Sequence, residues 1–187
     1  NGLPMKIIQL CIDTGGHHAK EAYAFVKTRE RERVCATKGS NQPGHPLVGR
    51  PTTSNYGKVR LYAIGTDTAK DTLFSRLKLD TFGPGYCHHP VAEAYDEEFF
   101  AQLTSEEKRS KYDKGVLQGY YYKKMRARNE ALDLKVLNMA ALAILNPNLT
   151  AMATTLQERA GTPTPQPPTV SAPVYQDPVP SEKASRR

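Results

Sequence analysis

Two aspartates far apart in the chain, Asp13 and Asp133, are the residues whose type and setting point most directly to chemistry. Asp13 closes the apolar run from Ile7 to Ile12 and is followed by Thr14, Gly15 and Gly16, so a carboxylate stands where a buried strand ends and the backbone turns. Proteins with alternating strands and helices place ligands and metals at that end of their strands. Asp13 also has a purely local role open to it, bonding the backbone of its own turn. Asp133 shares a helical face with Leu137, Ala140 and Ile144, which directs its carboxylate toward protein rather than water. An inward carboxylate needs a partner: a neighbouring turn, an ion pair with Arg126 or Arg128, or a metal. Glu130 lies three residues earlier on the same side, placed to assist or to act as a helix-terminus charge. Two carboxylates from distant elements, set amid basic residues, are the equipment of a divalent-metal phosphodiesterase. There the metal binds through one or two carboxylates and keeps positions open for phosphate oxygens and water.

The bases that such chemistry requires are present. From Gly119 to Arg128, three tyrosines interleave with Lys123, Lys124, Arg126 and Arg128, the composition of an edge that faces DNA. A solvated strand edge protected by lysines has the same composition. The formal charge of +7 favours anionic partners, nucleic acid foremost. Other chemistries find less support. There is neither a phosphate-binding Gly-x-x-x-x-Gly-Lys-Ser/Thr loop nor a Gly-x-Ser-x-Gly elbow. His17 and His18 are adjacent at a helix start and point different ways, while His88 and His89 are adjacent on an expected strand and face opposite sides. Cys11, Cys35 and Cys87 are widely spaced, which suggests small buried residues rather than a disulfide framework or a zinc knuckle. No apolar run approaches the roughly 20 residues that a bilayer crossing needs, and the expectation is a soluble intracellular protein.

The elements that position these residues read as an α/β arrangement. After the strand ending at Asp13, the spacing of Ala19, Ala22, Tyr23 and Val26 predicts a helix packed on the sheet. Residues 34–37 predict a second strand that delivers Lys38, Gly39 and Ser40 at its end, so Lys38 resembles Asp13 in placement. Residues 41–57 read as a long loop, and the alternation over 58–64 as a third strand. Thr66 or Asp67 is expected to cap the following helix, whose apolar face is Leu73, Phe74 and Leu77. A short strand is expected at 86–88 and a helix around Phe99, Phe100 and Leu103. Thr104 and Glu107 have the spacing of a capping box and predict a further helix. The longest helix is expected from an Asn129 cap to about Leu145, stopped by Asn146 and Pro147. The chain divides accordingly into a domain over 1–150 and a flexible Pro-rich tail over 151–187, with seven of the fourteen prolines beyond Gly161.

Several strings, taken together and in order, resemble the nuclease domain of lambda-type phage terminase large subunits. They are IDTGG at 12–16, KGS at 38–40, IGTDTAK at 64–70, Pro84 and Gly85 with His88 and Pro90, QLT at 102–104 with Glu106, and RNEALD at 128–133 followed by AAL at 140–142. The likeness covers roughly 7–144. It implies a ribonuclease-H-like mixed sheet flanked by helices and a Mg²⁺- or Mn²⁺-dependent endonuclease that cuts concatemeric viral double-stranded DNA during genome packaging. It implies further a place in an oligomeric motor with a terminase small subunit and the portal of the procapsid, in the host cytoplasm. Three acidic residues hold the metals in that family. Asp13 matches the second and Asp133 the third, with Glu130 as helper, while Lys38, Lys70, Lys123, Lys124 and Arg128 are the expected phosphate contacts.

The family's first metal-binding aspartate lies upstream of where this chain begins, as does its ATPase. The chain is therefore expected to be an N-terminally incomplete C-terminal part, in which two-metal catalysis is weakened or lost. Asp67 is placed to compensate, against its expected role as a helix cap. The competing expectation is a catalytically silent fragment that binds DNA or docks the motor.

Overall fold

The structure, a computed structural model, describes residues 6–40 and 42–160. A four-stranded mixed sheet carries the fold, built from β1 (Leu10–Asp13), β2 (Val34–Ser40), β3 (Thr52–Thr53) and β4 (Arg60–Gly65) in the order β1-β2-β4-β3. β1, β2 and β4 run parallel, with Asp13 beside Thr37 and Ser40 beside Gly65, while β3 is antiparallel to β4. The first strand is shorter than its apolar run. Its parallel partner begins with Val34 opposite Leu10, so Ile7 and Ile8 have no strand to pair with and are exposed.

Helices cover both faces of the sheet, as the alternation of side chains requires. On one face Tyr23 and Val26 of α1 (Ala19–Arg29) pack with Val34 and Ala36 of β2, with Val59, and with the half-buried Ile12 and Leu61. On the other, Ile64 of β4 packs with Ala69 of α2 (Thr66–Arg76) and with Val136 and Ala140 of α4 (Glu130–Leu145). A third cluster joins Leu73 of α2, Leu103 of α3 (Glu97–Leu103) and Ala131 and Leu132 of α4. Leu132 is fully buried, and truncating such a leucine costs roughly 2–5 kcal/mol, so α4 is firmly fixed through its first turn. Asn146 ends α4 in the left-handed region and donates its amide to Leu142 O, with Pro147 following, as the sequence predicts.

Three local expectations fail for identifiable reasons. The capping-box segment at Thr104–Glu107 is not a helix start. Thr104 closes α3, and Glu106 begins β5 (Glu106–Asp113), which forms an antiparallel hairpin with β6 (Val116–Lys124). The hairpin turns through Lys114 and Gly115, both at positive φ, the backbone that two-residue hairpin loops require. At its root the Met125 amide donates to Ser105 O at 2.8 Å. Neither Thr66 nor Asp67 caps α2: Gly65 holds the cap position, and no side chain bonds there. A Cβ on Gly65 would stand 2.3 Å from His45 O and 2.5 Å from Pro46 O, so the loop over 42–49 packs directly on this helix start. Residues 86–88 form no strand. Tyr86 and His88 instead pack their rings with Phe82, at centroid separations of 4.6 to 5.3 Å.

The chain divides after Pro147 into two compact units. The described part of the second contains α5 (Leu149–Ala160), so the opening of the stretch expected to be a flexible tail is helical. The remainder of that stretch, 161–187, lies outside the described residues. Among the described residues no single helix is long and apolar enough to cross a membrane.

Candidate active site

Sheet alternation decides where Asp13 goes. Ile12 packs toward α1, so its neighbours Cys11 and Asp13 take the face that α4 covers. The strand end is tightly held. The Thr14 amide donates to Thr37 O at 2.8 Å and its hydroxyl to the same carbonyl at 2.9 Å, while sharing a hydrogen bond with the Tyr23 hydroxyl at 3.0 Å. The Thr37 hydroxyl donates back to Ile12 O at 2.9 Å. Both Thr14 and Thr37 are buried, so these bonds satisfy polar groups that water does not reach. Asp13 is exposed beside them. Its Oδ1 accepts the Gly15 amide at 3.0 Å, which is the local turn role foreseen for it. That bond orients the carboxylate without occupying Oδ2.

Asp13 and Asp133 meet at one cavity of about 190 Å³, at the C-terminal ends of the parallel strands. Gly39 from the end of β2, and Thr66 and Lys70 from the start of α2, share its lining, and Ile64, Val136 and Leu137 supply an apolar wall. The strand order and the helix faces account for this meeting: β1, β2 and β4 end on one edge, and α4 lies across them. Glycine suits position 39, because a Cβ there would stand 3.2 Å from the Thr66 methyl.

Asp133 is an exposed residue and not the inward carboxylate that its helical face predicts, yet the neighbouring protein partly desolvates the carboxyl and raises its pKa above the ordinary 3.8. Lys70 and Lys124 oppose that rise, and Glu106 and Asp13 add to it. Lys70 Nζ in turn lies 2.6 Å from Glu106 Oε2, and the two side chains are only 12% and 7% exposed. Neither Arg126 nor Arg128 pairs with Asp133. Arg126 meets Glu98 at 3.0 Å and Arg128 meets Glu130 at 3.4 Å.

The expected site residues are thus divided. Asp13, Asp133 and Lys70 come together, whereas Lys38 is exposed and is not among the residues that line the cavity. Lys70 is engaged by Glu106 rather than free for a phosphate. Glu130 lines a different cleft, with His88, His89 and Lys135, so it does not share the cavity of the two aspartates. Lys123 is exposed on β6, and Lys124 Nζ donates to Asn129 Oδ1 at 2.7 Å. Asp67 is exposed and outside the cavity, as are His17 and His18. Glu106 stands in the sequence only among the strings that carry the resemblance and was given no role in the site, because the Thr104 to Glu107 spacing pointed its segment to a helix start.

Two aspartate carboxylates at one rim are hard oxygen donors, suited to Mg²⁺ or Mn²⁺. Among the described residues no group of three or more His, Cys, Asp and Glu is assembled to hold an ion.

A family model described as the endonuclease domain of terminase large subunit gpA matches residues 1–155. The chain is 36% identical over 170 residues to the terminase large subunit of Escherichia phage lambda, covering 86% of this chain and 26% of that protein. It is also 36% identical over 157 residues to the terminase large subunit of Enterobacteria phage P21, covering 77% of this chain and 23% of the relative. The chain spans about a quarter of the length of these curated relatives. No solved structure matches it.

Proposed function

Because the chain belongs to the family of terminase large subunit gpA endonuclease domains, we propose that it is the DNA-cleaving part of a phage packaging terminase. Its sheet and flanking helices then belong to a ribonuclease-H-like fold. Its substrate is concatemeric viral double-stranded DNA, and it works in the host cytoplasm within an oligomeric motor that includes the small subunit and the portal of the procapsid.

The observation that carries this reading is the meeting of Asp13 and Asp133 at one cavity, from elements at opposite ends of the domain sequence. In the proposed mechanism both carboxylates hold a Mg²⁺ or Mn²⁺ ion. Such an ion, when bound, polarises the scissile phosphate and supplies a water of lowered pKa. Asp13 is pre-oriented by its bond from Gly15, and Asp133 by the buried first turn of α4. Lys38, Lys123, Lys124 and Arg128 are exposed and would hold DNA phosphates on either side of the cut.

Incubation with supercoiled plasmid and Mn²⁺ tests the reading. Nicking is expected from the wild-type chain, with a loss of at least about a hundredfold in Asp13→Asn and Asp133→Asn, the scale of a lost metal or general-base function. Nicking that survives both substitutions would overturn the assigned site. A DNA shift on a gel with no nicking would favour a silent DNA-binding module.

A further inference from the structure

A nearly buried ion pair is stripped of water on both partners, a cost its mutual attraction need not repay, so the pairing of Lys70 with Glu106 calls for a reason. Lys70 lines the cavity of Asp13 and Asp133, and its charge acts on the Asp133 carboxyl. An ammonium at this place can serve the cavity or obstruct it. Released onto Asp133, it would neutralise a carboxylate that a divalent cation needs.

Glu106 is held on both oxygens. Oε2 accepts Lys70 Nζ at 2.6 Å, and Oε1 accepts Asn129 Nδ2 at 3.1 Å. Asn129 stands at the cap position of α4 yet makes no side-chain cap, because its amide group is used on Glu106 and on Lys124. The Tyr122 ring lies 5.4 Å from Lys70 Nζ. Glu106 is also the first residue of β5, next to the buried Ser105, so its backbone is fixed.

We propose that Glu106 is a positioning residue of the cavity: it holds the Lys70 ammonium away from Asp133 and so keeps the aspartate pair available to a divalent cation. This rests on the reading of Asp13 and Asp133 as a cation site.

The test is Mn²⁺ binding to the full chain without DNA, followed by electron paramagnetic resonance of the free ion. Glu106→Gln keeps the side chain's shape and is expected to weaken Mn²⁺ binding about tenfold, the scale of one charge-assisted contact. The double variant Lys70→Gln, Glu106→Gln removes the released ammonium and is expected to return to within about twofold of the wild type. A merely stabilising ion pair would give no such return. Glu106→Asp, which keeps the charge one methylene short, is expected to fall between wild type and Glu106→Gln, and it carries the comparison if Glu106→Gln does not fold. Unchanged affinity in Glu106→Gln, or a double variant as weak as the single, would overturn the proposal while leaving the aspartate pair in place. Wild-type binding that Asp13→Asn and Asp133→Asn leave intact would overturn the aspartate reading itself, and the role of Glu106 with it.

Discussion

The Gly15 amide donates to Asp13 Oδ1 at 3.0 Å, and the space above Gly15 is closed by the same carboxylate. A Cβ at Gly15 would stand 3.3 Å from Oδ1 and 3.7 Å from Oδ2, whereas one at Gly16 would meet nothing within 4 Å. Gly15→Ala is therefore expected to shift the Asp13 carboxylate by a few tenths of an ångström and to lower nicking activity by roughly tenfold, since small misplacements of reacting groups are costly. Gly16→Ala is expected to leave activity within about twofold. Plasmid-nicking rates of the two variants, measured beside their thermal midpoints, check the contrast.

Asp133 carries a cost that its proposed role explains. Its pKa is raised chiefly by desolvation, so the charged form is disfavoured in the folded state. The sign follows directly: stability is greatest below the unfolded value near 3.8 and falls as pH rises through the higher folded value. Without divalent cation, Asp133→Asn is expected to raise the thermal midpoint at pH 7 by about 1 °C or more, with the gain vanishing at acid pH. Mn²⁺ at a hundredfold excess over its Kd should reverse the order, because it stabilises only the binding-competent chain, by about 2.7 kcal/mol. Calorimetric scans at two pH values, with and without Mn²⁺, measure both effects.

The hairpin root makes a second electrostatic prediction. Asp71 Oδ1 accepts from Lys108 Nζ at 2.7 Å and from the Tyr122 hydroxyl at 2.6 Å, tying α2 to both hairpin strands. Desolvation pushes the Asp71 pKa up, but these two donors outweigh it and hold the group below its ordinary 3.8. A depressed carboxylate contributes stability above the unfolded value and loses it as pH falls through the folded one. Asp71→Asn is expected to speed amide exchange in residues 106–124 at pH 7, and the difference from wild type should close below about pH 3.8. Hydrogen exchange followed across that range checks it.

The parts of the fold legible in the sequence are those whose apolar residues repeat with one period. Tyr23 and Val26, and Leu73 and Leu77, mark helix faces that the core uses, whereas on α4 the core takes Leu132, Val136 and Ala140 rather than the stripe of Leu137, Ala140 and Ile144. The turn at Asn146 was equally readable, because Asn and Pro in succession end a helix by backbone chemistry alone. The hairpin was hidden for the opposite reason. Residues 106–113 are polar or charged on both faces, so no period of two appears, and the Thr104 to Glu107 spacing mimics a helix start. What makes Glu106 a strand residue is its pairing with Lys124 of β6, across the whole hairpin. The candidate site shows the same limit. Asp13 and Asp133 could each be singled out locally, and the likeness to a nuclease family paired them. The engagement of Lys70 and the removal of Glu130 to another cleft depend on tertiary packing that no local spacing encodes.

Anomalous diffraction from crystals of the chain soaked in Mn²⁺ tests the shared role of Asp13 and Asp133 most directly. The expected result is a manganese peak bonded to a carboxylate oxygen of each aspartate, at about 2.1 Å and with its other ligands water. A fully occupied peak elsewhere on the chain, with none between Asp13 and Asp133, would contradict it.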